Sequence, residues 1–220
     1  MARSSSPDRQ IAAPPTVIEV FADVVCPFTH IGLRRFVQRR TESGRDDVRL
    51  RVRAWPLELV NGRPLDPELV ADEVDELRRD AAPEWFAGFT PTRFPSTSLP
   101  ALALADAAYE HGLELGEQVS LELRALLFER GVDISRPEVL EELARENGIS
   151  LGGTRRDAVV EDLADGRRRG VVGSPHFFTP GGDFFCPALE VTHDDAGRLL
   201  VRAAPDRFDR FVDVCLARPR

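Results

Sequence analysis

The sequence has very few cysteines for its length. Its 220 residues include three, Cys26, Cys186 and Cys215. An odd and small number does not suit a disulfide scaffold, so we expect reduced thiols. Cys26 and His30 are the one Cys and His pair at a metal-ligand spacing, and a single pair supplies half of a metal site. The sequence therefore predicts neither a disulfide framework nor a metal centre.

Basic clusters and long apolar runs are also scarce. The formal net charge of −8 and the pI near 5.1 disfavour a nucleic-acid or anionic membrane surface, because such surfaces depend on clustered Lys and Arg. The arginines at 167–169 fit a solvated helix end. No stretch has the length of a membrane span, and residues 1–16 lack the apolar core of a signal peptide, which indicates a disordered polar tail. We expect a cytoplasmic protein with no nucleic-acid and no membrane partner.

The first pattern that is present is a strand running directly into a helix. "TVIEVFADVV", from Thr16, is β-branched and apolar, as in a buried strand. "CPFTHIGLRRFVQRR" follows with a helical period and a proline in the first turn, where the missing N–H is not needed. "VRLRVRAW", residues 48–55, alternates apolar residues with arginines and indicates a half-buried strand. Together these segments predict a βαβ unit.

Helical patterns replace the strands between about Pro56 and Gly170. Apolar residues recur at helical spacing, as at Val70 and Val74, and glycines stand at several predicted helix ends. Two later helices begin with sequences of the capping-box type, at 135–138 and 154–157. This part of the chain predicts an inserted, all-helical subdomain.

Strand patterns return after Gly170. "SPHFFTPGGDFFCPALEV" has two aromatic-rich runs around a turn of Pro and Gly, which predicts an antiparallel hairpin. "RLLVRA" predicts a further strand, and "DRFDRFVDVCLA" predicts an amphipathic helix with Cys215 on its apolar face. We expect residues 17–55 and about 171–216 to share one sheet, and Cys215 to lie in the core.

Cys26 stands where the first strand gives way to the helix. A sulfur at a helix N-terminus lies beside unpaired backbone N–H groups and the positive end of the helix dipole, so a lowered pKa and a nucleophilic thiolate are expected. Thr29 occupies the position of the second cysteine of a C-x-x-C pair; its hydroxyl could donate to the Cys26 sulfur, but it cannot act as a resolving thiol. An imidazolium at His30 would also favour the thiolate, although a first-turn residue of an exposed helix is often only solvated. The same alternatives hold for His176.

These residues carry a resemblance. "FADVVCPFTHIG" resembles the active-site stretch of the DsbA family in the thioredoxin-fold superfamily, and "GVVGSPHFF" resembles its V-x-G-V-P-T-F segment. "RAWPLELV" and "GVDISRPEVLEELARENGIS" are similar to the subgroup of FrnE-like oxidoreductases and 2-hydroxychromene-2-carboxylate isomerases. The resemblance implies an α/β, thioredoxin-like fold with an inserted all-helical subdomain. The implied organisation is a disordered tail at 1–16, a thioredoxin-like domain at 17–59 and 166–220, and the insertion at 60–165.

The resemblance also implies roles for individual residues. Cys26 matches the nucleophile, Pro175 matches the cis-proline beside it, and Ser174 would offer its backbone to an extended substrate. Thr29 departs from the redox pattern, so a mixed disulfide on Cys26 would need an outside thiol for resolution. The implied catalytic residues are Cys26, Thr29 and Pro175, with Pro27, Phe28, His30, Ser174 and His176 in substrate binding and no metal. No tightly bound cofactor is implied; glutathione or another small thiol is the expected co-substrate.

Three functions remain open at this point. The first is a monothiol thiol-disulfide oxidoreductase whose partner is a small thiol or disulfide. The second is a glutathione-assisted isomerase or transferase acting on an aromatic or polyketide substrate, since the isomerases and the kappa-class glutathione transferases resemble this arrangement with serine in place of Cys26. The third is a thioredoxin fold that binds a partner without turnover. The sequence selects no oligomeric state.

Cys186 is expected at the same end of the sheet as Cys26. If the hairpin returns towards the active site, the thioredoxin strand order that the resemblance implies places the two cysteines two strands apart, or about 10 Å. A disulfide needs Cα atoms within about 7 Å. We therefore expect no bridge between Cys26 and Cys186 at rest.

Overall fold

The computed structural model describes residues 14–80, 82–151, 156–194 and 199–218. The predicted disordered tail lies outside the described residues up to position 13, and the capping sequence that begins at Thr154 also falls largely outside them. Within the described residues, no helix is long and apolar enough to cross a membrane.

A four-stranded sheet joins the two ends of the chain. Its strands are β1 (Thr16–Ala22), β2 (Val48–Ala54), β3 (His176–Thr179) and β4 (Gly182–Phe185), in the order β2-β1-β3-β4. β1 is parallel to β2 and antiparallel to β3, and β3 is antiparallel to β4. The predicted βαβ unit and aromatic hairpin are thus both present. The second half of the central strand β1 is buried on both faces, where Val20 and Phe21 are fully buried.

Two further strands leave this sheet. β5 (Leu189–His193) and β6 (Leu199–Ala203) pair only with each other, in a separate antiparallel sheet. The expectation of one sheet for all of 171–216 is therefore wrong for these strands. The turn occurs at Cys186, which has φ +42, a left-handed conformation that few residues other than glycine adopt. Pro187 follows and cannot donate to a ladder, so the chain leaves the line of β4.

Eight helices surround the sheets in the described residues. They are α1 (Pro27–Glu42), α2 (Leu57–Val60), α3 (Pro67–Asp80), α4 (Leu99–Glu110), α5 (Leu113–Phe128), α6 (Pro137–Glu146), α7 (Arg156–Arg168) and α8 (Pro205–Leu216), with 3-10 turns at Pro83–Phe86 and Pro91–Arg93. The helices from α2 to α7 form the predicted helical stretch, and Cys215 is buried on α8 as predicted. The boundaries of the proposed domains at 59/60 and 165/166 stay predictions, and α7 runs across the second of them.

The predicted capping box at Ser135 is wrong. Helix α6 begins at Pro137 after Arg136, and no side chain caps it. The Ser135 hydroxyl instead donates to Asp133 at 2.6 Å, and the Ser135 N–H donates to the same carboxylate oxygen at 2.9 Å. Asp133 thus competes for the serine by forming a local turn ahead of the helix.

Side chains from the helices cover the outer edge of β2. Glu117 accepts the Leu50 N–H at 2.6 Å, and the Tyr109 hydroxyl accepts the Val52 N–H at 2.8 Å and donates to the Leu50 carbonyl at 3.1 Å. Arg40 donates to the Val48 carbonyl, and Asp162 accepts the Ala54 N–H. Arg40 and Glu117 also form a buried ion pair at 2.6 Å. These bonds hold α4, α5 and α7 against the sheet. They thereby also fix the α5 side chains that lie near Cys26.

Candidate active site

Cys26 is the residue before the first turn of α1. Its backbone is extended, with φ −84 and ψ 116, and Pro27 occupies the start of the helix. The His30 N–H donates to the Cys26 carbonyl at 3.2 Å, which is the first helical hydrogen bond. The predicted position of the sulfur at a helix N-terminus is therefore correct. Cys26 is nevertheless 3% exposed.

The loop before β3 lies against the sulfur. The Ser174–Pro175 peptide bond is cis, the isomer that the resemblance implies. The Cys26 thiol donates to the Ser174 carbonyl at 3.3 Å. Pro175 packs against α1 opposite Gly32, where an added Cβ would lie 3.7 Å from the proline ring. The structure therefore brings Cys26, Ser174 and Pro175 together, as expected.

Thr29 joins the same group one turn into α1. It is fully buried, and its hydroxyl lies 2.8 Å from the Ser174 hydroxyl. The Ser174 hydroxyl oxygen also accepts the Asp23 N–H at 2.9 Å. Thr29, at the position of a second cysteine, is thus hydrogen-bonded to the cis-proline loop as well as to the Cys26 sulfur.

The expected lowering of the Cys26 pKa is wrong for the resting site. Burial is the largest effect and raises the pKa of the thiol above its ordinary value; hydrogen bonds from Thr29 and from the Ser174 side chain oppose it, and the negative charge of Glu73 adds to the rise. The helix start is covered by the helical insertion, and desolvation of the charged form outweighs the N–H groups at the helix end. The resting sulfur is a thiol at neutral pH.

His30 does not lie on an exposed helix surface. It is 1% exposed, stacks on Phe128 with ring centres 5.1 Å apart, and places Nε2 3.1 Å from the Trp85 carbonyl and 3.3 Å from a Glu129 oxygen. Burial lowers its pKa, so it is neutral near pH 7. The alternative of a solvated His30 is wrong, and its ring contacts the helical insertion instead.

His176 is held in a similar way on β3. It is 3% exposed, its Nδ1 accepts the Val172 N–H at 3.2 Å, and its Nε2 donates to Asp183 at 3.0 Å. The ring stacks on Phe178 at 4.9 Å. Both ring nitrogens therefore support the loop that leads into Ser174 and the hairpin that follows it.

The other predicted positions lie around the helix start. Pro27 is buried and Phe28 is half-buried against the core. Cys186 is buried and free, as are Cys26 and Cys215, so the expected absence of a 26–186 bridge agrees with the structure. Its N–H donates to the Pro175 carbonyl at 3.0 Å, which places it opposite the cis-proline. Burial, with a smaller effect from Cys26, raises the pKa of Cys186 to about 12.

Asp23 is a site residue that sequence reasoning missed. It is fully buried at the end of β1; one carboxylate oxygen accepts the Val25 N–H at 3.2 Å, and the other accepts the Leu57 N–H at 2.6 Å and the Ser98 hydroxyl at 3.3 Å. Burial raises the pKa of Asp23 to about 6. The signal was present in the sequence, because an aspartate interrupts the apolar run three residues before Cys26.

Arg124 and Glu73 were missed as well. Arg124, on α5, is 1% exposed and donates to the Ser120 carbonyl at 2.7 Å and to the Asp23 carbonyl at 3.2 Å. Glu73 stands on the buried side of α3 between Val70 and Leu77, and burial raises its pKa to about 7. Each is a charge on the apolar face of a helix, a pattern that signals a buried polar role.

No metal-binding cluster of three or more His, Cys, Asp or Glu side chains occurs within the ranges that the structure describes. The chemistry available at the site is that of a buried thiol beside a cis-proline loop, with two carboxyl groups and one guanidinium around it.

Comparison with known proteins places this arrangement in a family. No curated protein matches the chain. Among solved structures, a probable DsbA oxidoreductase from Streptomyces coelicolor is 17% identical with a TM-score of 0.61, covering 93% of this chain and 92% of its own. A 2-hydroxychromene-2-carboxylate isomerase is 13% identical with a TM-score of 0.57, covering 77% of this chain and 88% of its own. At these identities the likeness shows the thioredoxin-like fold. The family model of the DSBA-like thioredoxin domain matches residues 17–193, and the chain belongs to that family.

Proposed function

We propose that the protein is a thiol-disulfide oxidoreductase of monothiol type with Cys26 as its nucleophile. The observation that carries the proposal is the environment of position 29, where Thr29 replaces a second sulfur and is hydrogen-bonded to Ser174. Helix α1 contains no cysteine, so a mixed disulfide on Cys26 has no partner thiol one turn away. Its resolution falls to a thiol from outside.

The reaction consists of two exchanges. The Cys26 thiolate attacks one sulfur of a substrate disulfide R–S–S–R′, forms Cys26–S–S–R and releases R′–S⁻, which takes up a proton. A small thiol such as glutathione then attacks the mixed disulfide as its thiolate, forms a disulfide with R–S and releases the Cys26 thiolate. One thiol is consumed and one is produced, so atoms and electrons balance.

The cis-proline loop is the surface on which we place the substrate. When Cys26 loses its proton, the Ser174 carbonyl loses its donor and becomes free to accept an N–H from an extended substrate. Pro27 and Phe28, beside Cys26 at the start of α1, would border that substrate. His30 and His176 are already engaged by protein groups, so we assign them to supporting the two walls of the site.

The test combines detection of the intermediate with turnover. Protein from cells, trapped with an alkylating agent, is searched by mass spectrometry for a small thiol on Cys26, and turnover is measured with a glutathionylated peptide and glutathione. We expect the adduct and turnover in the wild type, loss of both in Cys26→Ser, and turnover retained in the control Cys215→Ser. Turnover by the wild type without an added small thiol would contradict the monothiol mechanism and direct attention to Cys186.

A glutathione-assisted isomerase or transferase is the second candidate. The observation that favours it is the protonated state of the buried Cys26, since a neutral S–H can donate a hydrogen bond to the thiolate of a bound glutathione. Cys26→Ser keeps a donor at this position, so it would retain isomerase activity while losing disulfide exchange. Wild-type protein that binds glutathione or a partner but catalyses neither reaction would indicate a binding function.

A further inference from the structure

Arg124 is a buried positive charge that forms no ion pair with any residue the structure describes. Two other buried arginines have carboxylate partners: Arg40 pairs with Glu117 at 2.6 Å and Arg45 with Asp47 at 2.7 Å. Arg124 is 1% exposed, and within the described ranges its guanidinium donates to Ser120 and to the Asp23 carbonyl but to no carboxylate. Its Nε also has no partner among the described residues. Such a group is costly to bury, which points to a role that its packing does not explain.

Arg124 lies directly behind the turn that carries Cys26. Its guanidinium donates to the Asp23 carbonyl at 3.2 Å, and the Cys26 N–H points to that same oxygen at 3.5 Å. The Asp23 N–H in turn binds the Ser174 hydroxyl, opposite the sulfur. Asp23 thus connects three parts of the site: its carbonyl binds the guanidinium and the Cys26 backbone, and its N–H binds the cis-proline loop. Among the charges that act on Arg124, that of Asp23 has the largest effect, and those of Tyr109 and Cys26 have smaller ones.

We propose that Arg124 is a positioning residue whose buried positive charge stabilises the Cys26 thiolate when the reaction forms it. The inference rests on the proposed nucleophilic role of Cys26. Arg124 reaches no substrate in this arrangement; it acts through the turn at Asp23 and through its field at the sulfur.

Ionisation of Cys26 in this buried site requires a positive charge nearby to offset the cost of desolvation. The Cys26 proton is held by burial and by the Ser174 carbonyl, and its loss to a base in the solvent leaves a negative charge where little water can screen it. An opposite charge nearby is the effect that offsets desolvation, because it favours the ionised form. Burial lowers the pKa of Arg124 only to about 10, so the guanidinium remains charged at neutral pH.

Apart from His30, which burial keeps neutral near pH 7, the other titratable groups assigned to the surroundings of Cys26 among the described residues are acids. They are Asp23 at the end of β1, Glu73 on α3 and Cys186 after β4. Each disfavours a thiolate when it is ionised. Arg124 is therefore the one cation that we assign to this role among the residues the structure describes.

The experiment measures the ionisation of Cys26 without any substrate. Thiolate absorbance near 240 nm is followed from pH 6 to 11 in wild type, Arg124→Met, Arg124→Lys and Arg45→Met, each against its own Cys26→Ala version. Interference is small, because burial raises the pKa of Cys186 and of Cys215 to about 12 and also raises the pKa of the single tyrosine, Tyr109. Arg45 is a matched control, since it is buried and lies beyond the far end of α1.

We expect Arg124→Met to raise the Cys26 pKa by about one unit or more, which is about a tenfold loss of thiolate at a fixed pH below it. Arg124→Lys should restore most of the wild-type value, and Arg45→Met should leave it unchanged. If Arg124→Met does not fold, Arg124→Gln, which keeps an NH₂ donor for the Asp23 carbonyl, replaces it. Equal Cys26 pKa values in the charged and neutral variants would overturn the proposal. Because no disulfide substrate is used, this outcome is distinct from a failure of the exchange assay.

Discussion

The sulfur of Cys26 lies 3.3 Å from the carbonyl oxygen of Ser174 and donates its proton to it. Only the thiol can make this bond, so the cis-proline loop responds directly to the protonation state of the sulfur. Ionisation frees the carbonyl at the moment when the sulfur becomes reactive. Substrate docking and nucleophile formation are therefore coupled in the proposed mechanism.

The reactivity of Cys26 should rise with pH through the neutral range. Because burial raises the thiol pKa, the thiolate fraction at pH 7 is smaller than that of a free cysteine. We expect the rate of carbamidomethylation of the Cys26 peptide, followed by mass spectrometry, to increase about tenfold per pH unit between pH 7 and 9. A rate that levels off below pH 7 would show that the N–H groups and dipole at the start of α1 outweigh burial in setting the Cys26 pKa.

Thr29→Cys should create a C-P-F-C site able to close a disulfide with Cys26. Both residues belong to the start of α1, one turn apart and buried against the same loop. The variant should form an internal disulfide and reduce or oxidise a model protein disulfide, as measured by thiol counting and an insulin turnover assay. A folded variant that does not close this disulfide would contradict the placement of position 29.

The same substitution should lower stability, because the Thr29 hydroxyl has a buried partner in Ser174. Loss of that hydrogen bond is worth about 1 kcal/mol in the reduced protein. Thr29→Ser keeps the hydroxyl and is the matched control, with a smaller loss of unfolding free energy in urea. An equal loss in both variants would assign the effect to packing of the threonine methyl group.

The raised pKa of Asp23 should make the protein more stable in mild acid than at neutral pH. Its folded-state pKa of about 6 exceeds the ordinary 3.8, so between these values the folded protein binds a proton that the unfolded chain releases. The unfolding free energy consequently falls as pH rises through this window, by on the order of 3 kcal/mol from Asp23. Glu73, whose pKa is raised to about 7, contributes in the same direction.

Asp23→Asn isolates this contribution. Its amide cannot accept both N–H groups now bound to the carboxylate, so we expect a constant loss of stability together with a shallower pH dependence. Urea unfolding at pH 4.5 and pH 6.5, compared between wild type and variant, measures the difference in slope. Identical slopes would mean that Asp23 titrates normally in the folded protein.

Glu117→Ala should destabilise the protein much more than Glu122→Ala, although both residues belong to α5 and pair with an arginine. Removing Glu117 leaves Arg40 buried without its partner and the Leu50 N–H without an acceptor, at a cost of about 3 to 5 kcal/mol. Glu122 and Arg130 are exposed, and such pairs contribute about 1 kcal/mol or less. Chemical denaturation of both variants tests the contrast, and similar losses would contradict it.

The fold could be predicted because its signals are local. The apolar strand before Cys26, Pro27 in the first turn of α1 and the Pro-Gly turn of the hairpin each fix a backbone conformation without reference to distant residues. The departure of β5 and β6 from the main sheet could not be predicted in this way. It depends on the left-handed backbone of Cys186, which the tertiary structure imposes on an ordinary residue.

The sequence predicts that Cys26, Ser174 and Pro175 lie together, but not the electrostatics around them. The isolated helix predicts a lowered pKa for Cys26 and an exposed side chain for His30. In the folded chain the helical insertion buries both side chains. Burial depends on which face the helices cover, and only the assembled chain determines that. Asp23 and Arg124 illustrate the remaining gap, since each is visible as a charge in an apolar run, but their meeting at one peptide group is a long-range contact.

The side chains along the outer edge of β2 act in place of a fifth strand. The peptide groups of Val48, Leu50, Val52 and Ala54 that face away from β1 are bound by side chains instead of by backbone. An extended chain therefore cannot add to the sheet at this edge without displacing Glu117, Tyr109 and Asp162. A shortened protein that lacked α4, α5 and α7 would expose a row of unsatisfied donors and acceptors, a template for self-association. The helices thus protect the sheet from aggregation as well as covering the sulfur.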